Sequence, residues 1–373
     1  MARTFSPGRN PARLSCTAAT RAVSLALFTT LSTAASCQNM SGRTVEASFG
    51  MRPEPKLLDY VGIDRTIPFP DSPASSAVEV SFDQGPGFLV VIADASRAQL
   101  RQYDENAHLM WAAGRNGPGP SEFQRLRSAV RNSAGEVIAL DNSGRVSLWD
   151  RNGNWIRTWT TELSPTYTSI LLDDSTLLIS GRLNGGSTSP LLHLFDLKTG
   201  HVRKSFFNTP PHPAKFDDAY MFSGWANATK LNDNTLGVIF ALSDSLYLFN
   251  TDGVALGQHP LNLRRFLPLQ EPSPRDDSPA AEIAWRSSYS RLTHIFRAPD
   301  NSIYIQYGGF HDRRRIWSLA RYELTPQGNL EQKFEVPDTI RLLAISPRGG
   351  DLYFLDPDSL EMISWSVGHL LQR

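Results

Sequence analysis

An aromatic residue returns along this chain at nearly even intervals, each time closing the same local pattern: Tyr103, Trp149, Phe195, Phe249, Tyr322 and Trp365. The steps between them are 46, 46, 54, 73 and 43 residues. Most are followed directly by an acidic or amide turn residue: Asp104, Asp150, Asp196, Asn250 and Glu323. A period in the forties with strand-like patterning implies one small antiparallel sheet per repeat, stacked as the blades of a β-propeller. Length alone would allow two or three domains. Units that share a continuous core argue for one closed domain instead.

Ahead of each aromatic lies a short apolar, β-prone run, at residues 89–92, 137–140, 177–179, 236–239, 303–305 and 352–355. Gly, Asn, Asp or Ser residues bound these runs, which is the signature of buried strands joined by tight hairpins. Further upstream sit six candidate innermost strands at 78–80, 128–130, 170–172, 226–228, 292–296 and 342–344. With the aromatic strand and an outer strand after a turn, the pattern predicts an all-β fold. It is a single six-bladed β-propeller of four-stranded antiparallel blades over residues 56–373. The sixth unit runs short of chain after Trp365, so a strand from residues 56–63 is expected to complete it and leave no long open edge. The two longest steps hold insertions at 208–220 and 261–289. Both join an outer strand to the next inner strand, so they should crowd one mouth of the channel, where long loops on a rigid scaffold tend to carry binding.

Residues 1–36 belong to another regime. They carry Arg3, Arg9, Arg13 and Arg21 and no acidic residue, followed by the apolar stretch 22–35. A basic leader, a short apolar segment and small residues read as a secretory signal peptide. The stretch is 14 residues long, too short for a membrane span of roughly 20 apolar residues. Ala34-Ala35-Ser36-Cys37 resembles the lipobox of bacterial lipoproteins, with Ala34 where that motif usually has Leu. The resemblance implies lipidation at Cys37 and attachment to a membrane of the bacterial cell envelope. Cysteine usage agrees: of the two cysteines, cleavage removes Cys16 and leaves Cys37 without a disulfide partner. Residues 37–55 read as a flexible tether. Basic and acidic side chains number 37 each. Loss of the leader makes the chain mildly acidic, which argues against a nucleic-acid partner.

The second unit carries a family resemblance. It reads Gly114-Arg115-Asn116-Gly117-Pro118-Gly119-Pro120-Ser121-Glu122-Phe123, then Gly135 to Asp141, Gly144-Arg145-Val146, and Trp149-Asp150-Arg151-Asn152-Gly153. This resembles the NHL repeat, and the first unit keeps Asp94 and Arg97 of the same pattern. The whole chain is similar to exported six-bladed propeller lipoproteins of bacteria. The resemblance implies fold and location but no reaction.

The usual catalytic signatures are missing from the sequence: there is no Gly-x-Ser-x-Gly elbow, His-Glu-x-x-His, Cys-x-x-Cys or phosphate-binding loop. Glu79 and Asn227, on inner strands, are the residues that could offer oxygen ligands to a divalent cation in the channel. No matching Asn and Asp stand on the other inner strands. His294 is the inner-strand histidine, able to act as acid, base or ligand, although a packed structural role is commoner. Arg125 and Arg127 flank the second inner strand, and Trp225 and Lys230 flank the fourth. With Asn227 they could bind an acidic or sugar-like ligand, the alternative being hydrogen bonding between blades. The run Asp312-Arg313-Arg314-Arg315 reads as a hairpin tip. The expected function is a non-enzymatic exported propeller, with no cofactor, that binds an envelope protein or small ligand. The competing reading is a metal-assisted hydrolase or lyase in the channel.

Overall fold

The computed structural model describes residues 65–67, 77–82, 90–94, 98–104, 108–183, 189–210, 225–269, 278–311, 314–325, 327–339, 341–346, 351–355 and 362–365. The expected signal peptide, Cys37, the tether and residues 56–63 lie outside them. Backbone contacts divide the chain into residues 1–51 and 52–373, and every described residue belongs to the second unit.

Strand β1 (Arg65–Ile67) opens the described chain. The next four strands form one sheet in chain order: β2 (Ala77–Phe82), β3 (Val90–Asp94), β4 (Gln99–Tyr103) and β5 (Leu109–Ala113). The second sheet holds β6 (Leu126–Arg131), β7 (Val137–Asp141), β8 (Arg145–Trp149) and β9 (Trp155–Thr160). The third holds β10 (Leu163–Asp173), β11 (Thr176–Leu183), β12 (Leu192–Asp196) and β13 (His201–Phe206). The fourth holds β14 (Ala226–Asn232), β15 (Thr235–Phe240), β16 (Ser245–Asn250) and β17 (Ala255–Pro260). In the fifth are β18 (Arg291–Arg297), β19 (Ile303–His311), β20 (Arg314–Leu324) and β21 (Leu330–Thr339). The sixth has β22 (Arg341–Ile345), β23 (Leu352–Leu355) and β24 (Met362–Trp365) from the C-terminal stretch, with β1 as its outer strand.

An early strand thus does complete the last sheet, but it is Arg65–Ile67 rather than residues 56–63. Arg65 pairs with Ser364, Thr66 with Ile363 and Ile67 with Met362. The shift has a simple cause: an outer strand is chosen by the pairing that it can offer to β24, not by its own apolar content.

Among the described residues, second and third strands such as β7, β8, β11, β12 and β15 are buried along nearly their whole length, as near-continuous apolar runs should be. The strand β7 is buried throughout, whereas the outer strand β9 is mostly exposed. Apolar clusters lie between consecutive sheets. Val146 and Leu148 of the second pack with Leu177, Ile179 and Phe195 of the third, and Tyr304 and Leu319 of the fifth meet Leu352 and Phe354 of the sixth. The inner strands lie against one another in the order β2, β6, β10, β14, β18, β22, and β22 returns against β2. Successive four-stranded sheets stacked through their faces around a ring of inner strands make a β-propeller.

The recurring aromatics are the packing residues of these interfaces. Tyr103, Trp149, Phe195, Phe249 and Tyr322 are all buried. Phe195 meets Trp159 of the preceding sheet edge-on at 5.8 Å, and Phe249 meets Phe206 of the preceding sheet at 5.2 Å. The Asp or Asn after four of them, at 104, 150, 196 and 250, closes the next hairpin. Asp150 Oδ1 accepts from the backbone N–H groups of Asn152 and Asn154, both at 2.8 Å. Asn250 Oδ1 accepts equivalently from Asp252 and Val254. A side chain that mimics a backbone carbonyl in a turn is the physical reason for Asp or Asn at this position. Gly253 follows in the same hairpin at φ +71°, and its bare Cα faces the ring of Phe206.

Candidate aromatic and guanidinium site

In an up-and-down sheet, the first strand starts at the edge where the second ends, and the fourth ends there too. That edge of the second to fifth sheets gathers the starts of β6, β10, β14 and β18, and the ends of β7 and β11. It is also where the 208–220 and 261–289 insertions attach. Residues 211–224 and 270–277 of these insertions lie outside the described set.

The loop leading to β6 is fixed by the motif residues of the second repeat. The half-buried Arg145 guanidinium donates to the carbonyl oxygens of Pro118 at 2.6 Å, Gly119 at 2.8 Å and Gly117 at 3.3 Å, and to that of Glu122. Glu122 in turn accepts from Gly119 N and from Arg115 Nε, both at 2.7 Å. These contacts and the Arg115 charge hold its carboxyl below the usual range. The buried Asp141 carboxylate takes the backbone N–H groups of Gln124 and Arg125. The Asp and Arg of the NHL-like pattern therefore set the loop that presents Arg125 and Arg127, and act structurally.

Arg127 is half-buried. Its Nε donates to Asn142 Oδ1 at 3.0 Å, and among the described residues its terminal nitrogens make no hydrogen bond. Burial, and then the like charge of Arg125, push its pKa down, while Tyr167 and Asp141 act in the opposite sense. The Tyr167 phenol is raised by burial, against the charge and hydrogen bond of Arg182. Arg182 is one of the largest side chains in the interior, 1% exposed. The Tyr167 ring lies 6.2 Å from Trp225. Arg291 stands over both Trp225 at 5.9 Å and Tyr289 at 5.3 Å, within cation–π range. Tyr289 continues to Trp285 at 5.4 Å. Guanidinium and ring groups thus follow one another in an arc across four sheets: Arg125, Arg127, Tyr167, Trp225, Arg291 and the buried Tyr289.

The far end of this arc is set by helix α1 (Pro279–Arg286), which the sequence reading left inside an irregular insertion. Ser278 Oγ accepts from Ala281 N at 3.2 Å, an N-cap followed by proline at the first helical position. That Ser-Pro pair was the available signal. Trp285 and Tyr289 then seat the insertion on the core between the third and fourth sheets.

Of the sequence-derived candidates, Arg125, Arg127 and Trp225 come together here and the others do not. Lys230 sits at the opposite end of β14, reaching Leu172 O at 3.2 Å and Asp233 at 3.3 Å. It cannot flank the mouth beside Trp225, because residues five apart on a strand are separated by most of its length. Asn227 Nδ2 donates to Thr293 O at 3.0 Å, a strap between inner strands of the fourth and fifth sheets. His294 stacks on Phe296 at 5.7 Å and 10°, the two being on one face of β18. The side chain of Glu79 on β2 lies outside the described set. Among the described residues no three His, Cys, Asp or Glu side chains gather as a metal-ligand set. Tyr167, Tyr289 and Arg291 are the members of the arc that the sequence reading missed, as it missed the buried Arg182 behind Tyr167.

No protein-family model matches the chain. NHL repeat-containing protein 3 of Homo sapiens is 28% identical over 115 residues, 30% of this chain, and the chain spans 32% of that protein's length. A solved structure from Bacteroides vulgatus, a member of the duf4221 family, aligns over 82% of this chain and 94% of its own, with a TM-score of 0.55 at 12% identity. The chain is a β-propeller with NHL-like repeats. A second structure, a Bacteroides fragilis protein proposed to be exported, covers 76% of this chain and 77% of its own at a TM-score of 0.51 and 13% identity. Likeness at these identities carries the propeller architecture. The function of this propeller has to be argued from its own site.

Proposed function

We propose that this chain is an exported, non-enzymatic propeller of six blades that binds a protein or small ligand through the face carrying its two insertions. The six sheets and the return of β22 against β2 support a closed six-bladed ring. The leader at residues 1–36 supports export, and Cys37 supports a lipid anchor in the bacterial envelope facing the periplasm or the cell surface. The observation that carries the binding reading is the arc itself. Rings and guanidinium groups are favoured binding anchors, and here Arg127 holds a partly desolvated charge whose terminal nitrogens make no hydrogen bond among the described residues, beside a second arginine.

The test is comparative capture from envelope extract, read by mass spectrometry of both proteins and small molecules. Wild type, Trp225→Ala, Arg127→Gln and a control on the outer strand β5, Met110→Ser, are compared. The reading expects one bound component retained by wild type and control and lost from both arc variants. Identical capture by all four would overturn it. For the anchor, Cys37→Ser should move the protein out of the membrane fraction, and unchanged fractionation would refute lipidation.

A further inference from the structure

From the chemistry of the arc we infer its ligand class: a carboxylate carried on a six-membered ring, held by Arg125 and Arg127 at its charged edge and by Tyr167 and Trp225 at its face. This rests on the reading that the insertion-bearing face binds.

The two halves of the arc make different demands. Arg125 and Arg127 place two like charges at the start of one strand, and the Arg127 guanidinium is partly desolvated as well. The Arg127 Nε is engaged by Asn142, which among the described residues leaves the two terminal nitrogens as a fork. A planar fork of guanidinium N–H groups matches the two oxygens of a carboxylate. A neutral ligand offers that fork no charged partner.

Beside them, the rings of Tyr167 and Trp225 lie 6.2 Å apart and tilted by 37°. Such surfaces are filled by a flat apolar face, whether an aromatic ring or the C–H face of a pyranose. A bare inorganic anion would meet the arginines and leave the rings wet. An acidic peptide presents its carboxylates on flexible stems with no ring attached. Only a ligand that has charge and ring face in one rigid unit satisfies both halves.

Two sources share this chemistry, the uronate units of an acidic oligosaccharide and a small aromatic carboxylic acid. The full-length protein is titrated calorimetrically with a galacturonate oligomer, its methyl ester, hydroxybenzoate, a poly-glutamate peptide and inorganic phosphate. We expect saturable binding of the galacturonate oligomer or of hydroxybenzoate, and whichever binds identifies the source. If it is the oligomer, esterification should weaken binding at least about tenfold, the equivalent of one lost charge-assisted contact. Arg127→Gln and Trp225→Ala should each lower affinity about tenfold or more. Arg127→Lys, which keeps the charge and loses the fork, should fall between wild type and Arg127→Gln. Variants are compared only when their thermal unfolding matches wild type, and Tyr167→Phe serves as a second ring variant that keeps the face.

Equal binding of acid and ester, or phosphate or poly-glutamate binding as tightly as either ring acid, would overturn the ligand class. So would the absence of binding by both ring carboxylates. If those titrations fail while envelope capture still depends on Trp225 and Arg127, the ligand class is wrong and the binding face stands. If capture is also indifferent to the arc, the binding reading itself has failed.

Discussion

The interface between blades can be tested at a single hydrogen atom. Gly253 closes the hairpin after β16 at φ +71°, and a Cβ there would fall 2.6 Å from Cδ1 and 2.7 Å from Cγ of Phe206, on the neighbouring sheet. Gly253→Ala therefore adds two costs. The left-handed backbone disfavours any side chain by about 1 kcal/mol. The ring of Phe206 is buried against Phe249 at 5.2 Å and must shift, and overpacking of this kind costs about 1–3 kcal/mol. The total, about 2–4 kcal/mol, corresponds to a fall in Tm of about 3–6 °C for a domain of this size. Gly328 supplies the control: it has φ +82° with nothing within 4 Å of the same position. Gly328→Ala should show the backbone cost alone, about 1 kcal/mol. Urea unfolding of both variants, with thermal melts, measures the difference. Adding Phe206→Leu to Gly253→Ala should return part of the loss, seen as a coupling energy in the double-mutant cycle. Equal losses at Gly253 and Gly328, or no coupling to Phe206, would refute the claim that these turn glycines are selected by the preceding blade.

Arg145→Lys should destabilise the protein by about 2–3 kcal/mol, because one ammonium cannot serve the carbonyls of residues 117–119 and 122; limited proteolysis should then cut within residues 114–123. His193 is fully buried, and burial lowers its pKa to about 4. Its folded pKa is below the unfolded value near 6.5, so its contribution is present above about pH 6.5 and is lost as pH falls towards 4, up to about 3 kcal/mol. The difference in unfolding free energy between wild type and His193→Gln, followed from pH 7 to 4.5, should track that window; a flat difference would contradict it. Asp244 has the opposite sign. Burial, followed by the charge of Glu335, raises its carboxyl even though it accepts from Leu263 N. Asp244→Asn should be neutral or stabilising at pH 7.5 and should remove a gain in stability that wild type shows on mild acidification; strong destabilisation at pH 7.5 would refute this.

The blades were legible because burial between sheets writes itself into the chain. Aromatic residues such as Phe195 and Phe249 fill equivalent gaps, and Asp150 and Asn250 close equivalent turns, so each repeat bears the same marks. The closing strand was legible in kind but not in place. Arg65-Thr66-Ile67 is too short to stand out, and its position comes from pairing with β24. The site was only half visible. Arg127 and Trp225 border inner-strand runs and could be singled out. Tyr167 could not, because β10 begins at Leu163, well before the apolar run at 170–172. Arg291 and Tyr289 depend on where the insertion lands, which helix α1 and its capping serine decide. Asn227 and Lys230 looked like ligand groups because polar inner-strand residues do. Their carbonyl partners on neighbouring strands are non-local, and nothing in the nearby sequence announces them.

The central claim is that function resides on the arc of rings and guanidinium groups, not on the outer strands. A crystal structure of the full chain soaked with galacturonate dimer or with hydroxybenzoate would test it most directly. The account predicts a carboxylate within hydrogen-bonding distance of the Arg127 terminal nitrogens and a ring against Trp225 or Tyr167. A ligand seated on β5, β9 or β17, or a carboxylate ordered elsewhere with the arc left empty, would contradict it.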